Sequence, residues 1–155
     1  MSTQTGTQIY PRNNAVRANH TGIQVAVGQA SLAVTGTASS VYLLCRVPHG
    51  AVIVDFEFNG DDGGADNTWD LGILQPEGST SGSVTHSQSA LATVLSLSAN
   101  TVPHRGTTLK LPYEVDIADA AIPRWAWVTA TAAAAVSASV SIKIIVYYTM
   151  GDSTP

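Results

Sequence analysis

Val136 to Tyr148 reads VSASVSIKIIVYY. Val136, Ala138, Val140, Ile142, Ile144, Val146 and Tyr148 share one parity, and Ser137, Ser139, Ser141 and Lys143 share the other. Successive side chains of an extended chain point to opposite faces, so this period of two predicts a β-strand with one buried face; a helix would repeat its apolar residues at three and four. Such a strand needs paired neighbours and a second layer over its apolar face.

The same alternation recurs upstream. In VYLLCRV, Val41, Leu43, Cys45 and Val47 are read on one face, with Tyr42, Leu44 and Arg46 on the other. Pro48-His49-Gly50 predicts a tight corner, and AVIVDFEF follows with Val52, Val54, Phe56 and Phe58 opposing Ile53, Asp55 and Glu57. In TWDLGIL, Trp69, Leu71 and Ile73 are expected inward and Asp70 outward. Near the start, Val25 and Val27, then Leu32 and Val34, alternate with Gln24, Ala26, Ser31 and Ala33. RWAWVTAT puts Trp125, Trp127, Thr129 and Thr131 together, and the Ala132–Ala135 turn suggests a hairpin joining it to the last strand. QSALATVLSLSAN is ambiguous between strand and short helix, and the helix is the preferred reading.

Seven or eight strands broken by Gly, Pro and Asn turns predict an all-β chain, an antiparallel β-sandwich or jelly roll. The first 22 residues, with Gly6, Pro11 and Asn13-Asn14, show no sustained period and read as an extended N-terminal arm. The expected division is an arm over 1–22, a β-domain over 23–149 and a short tail over 150–155.

Composition narrows the function. Of 155 residues, 45 % are apolar and only 12 % charged, with a net charge of -4, so much of the surface is small and neutral. No basic stripe is available to neutralise phosphates, which argues against nucleic acid as a partner. Neither a signal peptide nor a membrane span is read in the sequence. A single cysteine, Cys45, allows no intrachain disulfide and suits assembly in a reducing cytoplasm.

Candidate chemistry is sparse. NGDDGGADNTWD, Asn59 to Asp70, concentrates carboxylates that a hard cation would take, with Asp61, Asp62 and Asp66 as candidate ligands. The spacing departs from the EF-hand register, and the same residue types are those a glycine-rich turn requires, so the turn is the preferred reading and no metal or other cofactor is assigned. His20, His49, His86 and His104 stand in separate segments without ligand spacing. GSTSG at 78–82 lacks the central serine and the context of a nucleophile elbow. Cys45 has no base beside it in sequence, and no enzyme is expected. Trp125 and Trp127 are read as core in preference to a sugar-stacking platform. In the arm, Ile9, Tyr10, Arg12, Val16 and Arg17 are the residue types that anchor interfaces.

The segment from Leu43 to Leu74, with Arg46-Val47-Pro48-His49-Gly50-Ala51, then VIVDFEF, an acidic glycine-rich turn and Asp70-Leu71-Gly72, resembles small structural proteins of tailed bacteriophages. The final strand ending in Tyr147 and Tyr148 is similar to the last strand of that group. The resemblance implies a capsid decoration, or cement, protein with a jelly-roll or sandwich domain. It further implies a homotrimer on the outer surface of the virion, bound to the major capsid protein and assembled in the host cytoplasm. A carbohydrate- or receptor-binding module, and a head-tail or tail component, stay open as alternatives.

Overall fold

The computed structural model describes residues 3–5, 22–31, 36–60, 68–75, 86–97, 108–117, 124–136 and 140–150. They form ten strands: β1 (Thr3–Thr5), β2 (Gln24–Ser31), β3 (Val41–Pro48), β4 (Ala51–Gly60), β5 (Thr68–Leu74), β6 (His86–Ser96), β7 (Thr108–Leu109), β8 (Tyr113–Glu114), β9 (Trp125–Ala132) and β10 (Ser141–Met150). A six-stranded sheet has the order β1-β3-β9-β5-β6-β7, and a four-stranded sheet the order β2-β10-β4-β8. All pairings are antiparallel except that of β1 with β3. The chain is an all-β sandwich, as its alternation requires. Among the described residues no helix is long and apolar enough to cross a membrane.

The core lies between the sheets. Ile142, Ile144, Val146 and Tyr148 of β10 face it, as do Trp69, Leu71 and Ile73 of β5, so in these two strands the period of two carries straight through. Trp69 meets Tyr42 and Phe58 edge to face, with ring centroids 5.7 and 6.0 Å apart. Tyr42 pairs with Ala130 and Trp69 with Ala132, so the two large rings lean toward each other over the alanine floor of the strand between them. Small residues on β9 are what leave room for the rings in a layer about 10 Å thick.

Five expectations fail. QSALATVLSLSAN does not form a helix; it supplies most of β6. Between the pairs Leu71–Ala92 and Ile73–Ser87, β5 advances two residues and β6 five, and this irregularity spoils the alternation that would mark a strand. The hairpin from RWAWVTAT to the last strand does not exist either, because β9 and β10 belong to opposite sheets and the turn between them crosses the sandwich.

The other three concern faces. β3 carries a bulge between Leu43 and Cys45, where two of its residues oppose one of β9. Before it Tyr42 and Leu44 face the core, and after it Cys45 and Val47 do, so Val41 and Leu43 do not share a face with Cys45. β4 is bulged likewise: Tyr147 pairs with Asp55 but Tyr148 with Ile53. Ala51 and Ile53 therefore face in together with Phe56 and Phe58, while Val54 turns outward. At this bulge the Asp55 carboxylate accepts a hydrogen bond from the Phe56 N–H at 2.9 Å. On β2 the apolar positions are reversed: Val25 is 38 % exposed, whereas Ala26 and Ala30 face the core. The cause is Gly28, where an added Cβ would collide with the Leu44 carbonyl and lie 2.8 Å from the Cys45 amide nitrogen. The two sheets touch backbone to backbone at the β3 bulge, and only small side chains fit that seam.

Candidate functional site

The residues singled out in advance as interface anchors, Ile9, Tyr10, Arg12, Val16 and Arg17, lie outside the described residues, and so do the candidate cation ligands Asp61, Asp62 and Asp66. Of the arm, Thr3 to Thr5 are described. They add a short parallel strand to the edge of β3, opposite Val41, Tyr42 and Leu43. Among the described residues no three His, Cys, Asp or Glu side chains group as a metal would need.

The outer face of the six-stranded sheet is chemically the most distinctive surface. Its organiser is the β3 bulge. Without the extra residue Arg46 would keep the phase of Tyr42 and Leu44 and point into the core; with it, Arg46 emerges on the outer face opposite Trp127 of β9. The guanidinium carbon lies 4.0 Å from the centroid of Trp125 and 4.6 Å from that of Trp127. The two indoles are 5.6 Å apart and nearly perpendicular, at 89°. A cation over two ring faces gains from both quadrupoles, about 0.5–1 kcal/mol each at a partly exposed position.

Trp125 and Trp127 are thus half-buried on the outside, which corrects their assignment to the core. The phase of β9 is set instead by Ala126, Val128, Ala130 and Ala132, which face inward. Area alone favoured burying the indoles, yet the space opposite is already filled by Trp69, Tyr42 and the two phenylalanines. A flat sugar-stacking platform is not present: the rings stand at right angles, with the guanidinium against both.

Further along the same face, Thr129 and Thr131 are buried, and His86 Nε2 and Thr129 Oγ1 share a hydrogen bond at 3.1 Å. Burial pushes the His86 pKa down from 6.5 and so favours the neutral ring. Arg46 Nε and Thr131 Oγ1 are buried without a hydrogen-bond partner. At the β3–β4 corner, Gly50 takes φ +77°, a left-handed conformation that glycine adopts without strain. There His49 Nδ1 accepts the Ile117 N–H at 3.0 Å and stands 3.9 Å from an Asp116 oxygen. Cys45 is enclosed, its thiol pushed up to about 12 by burial, and holds no nucleophilic thiolate near neutral pH. Cys45 is packed there as a small buried hydrophobe.

Sequence reasoning missed the Arg46 cluster. One signal was available: an arginine on the same parity as Tyr42 and Leu44 is a conflict that a bulge resolves.

No protein-family model matches the chain, and a search of curated proteins gives no match. Solved structures do resemble it. A chain in the capsid of Ralstonia phage GP4 superposes with a TM-score of 0.68 at 18 % identity, covering 98 % of this chain and 100 % of that one. A chain of the cyanophage Pam1 capsid asymmetric unit superposes with a TM-score of 0.55 at 20 % identity, covering 90 % of this chain and 95 % of that one. At such identities the likeness is one of fold.

Proposed function

We propose that this chain is a non-enzymatic structural protein of a phage virion, a cement protein that decorates the outer surface of the capsid and stabilises it. The observation that carries the reading is the end-to-end superposition on a phage capsid chain, which leaves almost no part of either chain over. Two others agree with it. The start of the arm adds to an open sheet edge, the manner in which an extended segment binds through its backbone. The outer face of the same sheet bears tryptophan and arginine, residue types enriched at interface anchors.

In this reading the partners are the major capsid protein and further copies of the chain, as a homotrimer. Ile9, Tyr10, Arg12, Val16 and Arg17 of the arm make the contacts with the shell. Ordering the arm costs about 1–2 kcal/mol of backbone entropy per residue, so each anchor must bury apolar surface to be retained. Many symmetric copies raise a weak contact by avidity.

The test is co-sedimentation of the purified protein with expanded heads of its phage, beside a variant lacking residues 2–20. Binding by the full chain, and heads that break at lower temperature with the truncated one, is the expected result. Failure of the full chain to bind heads overturns the role, and equal protection by the truncated chain overturns the part given to the arm.

A further inference from the structure

We propose that the His49 imidazole is a proton-sensitive latch on the strap 113–117: with Nδ1 unprotonated it keeps Ile117 seated in the core, and a proton on Nδ1 turns the ring to Asp116 and loosens that seat. The inference does not depend on the virion role.

The strap closes the end of the sandwich where β3 turns into β4. It begins as β8, which pairs Tyr113 with Ile53 and Glu114 with Val52. Beyond β8 the Val115 N–H donates to the Ala51 carbonyl at 2.8 Å, and the Gly50 N–H donates to the Val115 carbonyl at 3.0 Å. From the other sheet Gln75 Nε2, just past the end of β5, donates to the Asp116 carbonyl at 3.0 Å. The strap is thus tied to both sheets, and Val115 and Ile117, each 1 % exposed, join the core. Backbone bonds hold Val115. Ile117 is held differently: its N–H donates to a side chain, His49 Nδ1, at 3.0 Å. His49 is itself anchored, since its own N–H donates to the Arg124 carbonyl at 3.1 Å.

That bond fixes where the ring proton sits. A backbone N–H can only donate, so Nδ1 must offer its lone pair and the single proton of the neutral ring is on Nε2. A second proton, taken from solvent, can go only to Nδ1. It sets two donors against each other and leaves the N–H of an enclosed residue without its acceptor, an unfavourable state. The same strap supplies the group that receives the imidazolium. An Asp116 carboxylate oxygen lies 3.9 Å from Nδ1, on a side chain that is 86 % exposed. A small turn of the ring away from Ile117 lets the new N–H donate to that oxygen, a charge-assisted bond in place of a neutral one. The other titratable groups on the surrounding elements are Tyr113 and Glu114 of β8 and Arg124 ahead of β9, and among the described residues Asp116 is the acid at ion-pair distance from the ring. Burial, then the charge of Asp116, push the Tyr113 pKa up, so its hydroxyl stays neutral while the imidazole titrates. The exchange of partners is therefore between Ile117 and Asp116, and the backbone bonds of Val115 take no part.

The experiment uses the full chain, labelled with nitrogen-15, and reads the His49 ring and the strap amides by NMR from about pH 8 to about pH 5. At the upper end the ring is expected as the Nε2–H tautomer. Across the His49 titration the Ile117 amide should lose hydrogen-exchange protection by at least about tenfold, after correction for intrinsic exchange, while Val115 keeps its own. In His49→Gln the amide oxygen can accept the same N–H without titrating, and Ile117 should stay protected throughout. An Nδ1–H tautomer, an Ile117 amide indifferent to the titration, equal losses at Val115 and Ile117, or the same loss in His49→Gln overturns the proposal. Should His49→Gln not fold, the tautomer and the contrast between the two amides of the unaltered chain decide alone.

Discussion

On the outer face of the four-stranded sheet, polar side chains find partners on adjacent strands: Gln29 donates to Ser141 Oγ at 2.9 Å and Tyr147 to Glu57 at 2.8 Å. On the outer face of the six-stranded sheet, Arg46 Nε and Thr131 Oγ1 are buried and unpartnered, while Trp125 and Trp127 stay half-exposed. On the first face these polar groups are satisfied by neighbouring strands of the same sheet. The second buries polar atoms without satisfying them, which costs about 1–3 kcal/mol per group, and a surface that tolerates this is one suited to a further partner. Two sheets sharing one core have thus been given different outsides.

That contrast can be broken at several points. The largest effect is expected from comparing tryptophans on the two sides of the six-stranded sheet. Trp69→Ala opens the aromatic centre of the core and should lower the unfolding free energy by about 3–5 kcal/mol, whereas Trp127→Ala on the outer face should cost about 1 kcal/mol, chiefly its share of the Arg46 stack. Urea titration of both decides; equal losses would mean that Trp127 is as much core as Trp69.

The seam is the next point. Gly28→Ala drives a methyl into the Leu44–Cys45 backbone and is expected to destabilise by about 2–3 kcal/mol, although alanine suits a strand no worse than glycine does. A neutral or stabilising outcome in thermal melts would show that the sheets are not locked there, and the assignment of β2's faces would fall with it.

Smaller changes sharpen the contrast between the two outsides. Tyr147→Phe removes the hydroxyl that donates to Glu57, and a loss of about 0.5–1.5 kcal/mol in urea is expected. No change would show that water replaces that bond without loss, making the four-stranded face less self-contained than its geometry indicates.

The smallest effect concerns pH. The His86 pKa is depressed by burial, so below 6.5 the unfolded chain binds more protons than the folded one, and stability present above that pH is lost as pH falls toward the lower folded value. The melting temperature should therefore decline from about pH 6.5 to pH 5, and less so in His86→Gln. Identical declines in the two proteins would assign the pH dependence elsewhere.

Much of the architecture was legible in the residues. Strands β5 and β10 follow their alternation, and the corner at Pro48-His49-Gly50 is where the pattern put it. The errors gather at irregularities. β3 and β4 each hold one extra residue, β6 holds more, and a bulge has no local signature to separate it from a strand read in the wrong phase. Past the bulge every inside and outside assignment inverts, which is how Arg46 came to be read on the face of Leu44. The candidate site was least legible, because its three side chains come from two strands nearly eighty residues apart in sequence.

The amino-acid sequence by itself determined that this chain is all-β and that β10 and β5 bury one face. Tertiary structure alone decided which strands share a sheet and which face of β9 is inside. Alternation is a property of single strands and fixes burial only relative to a covering layer. Whether two tryptophans or two alanines meet that layer depends on volumes supplied by other strands, here Trp69, Tyr42, Phe56 and Phe58, which had already filled the space between the sheets.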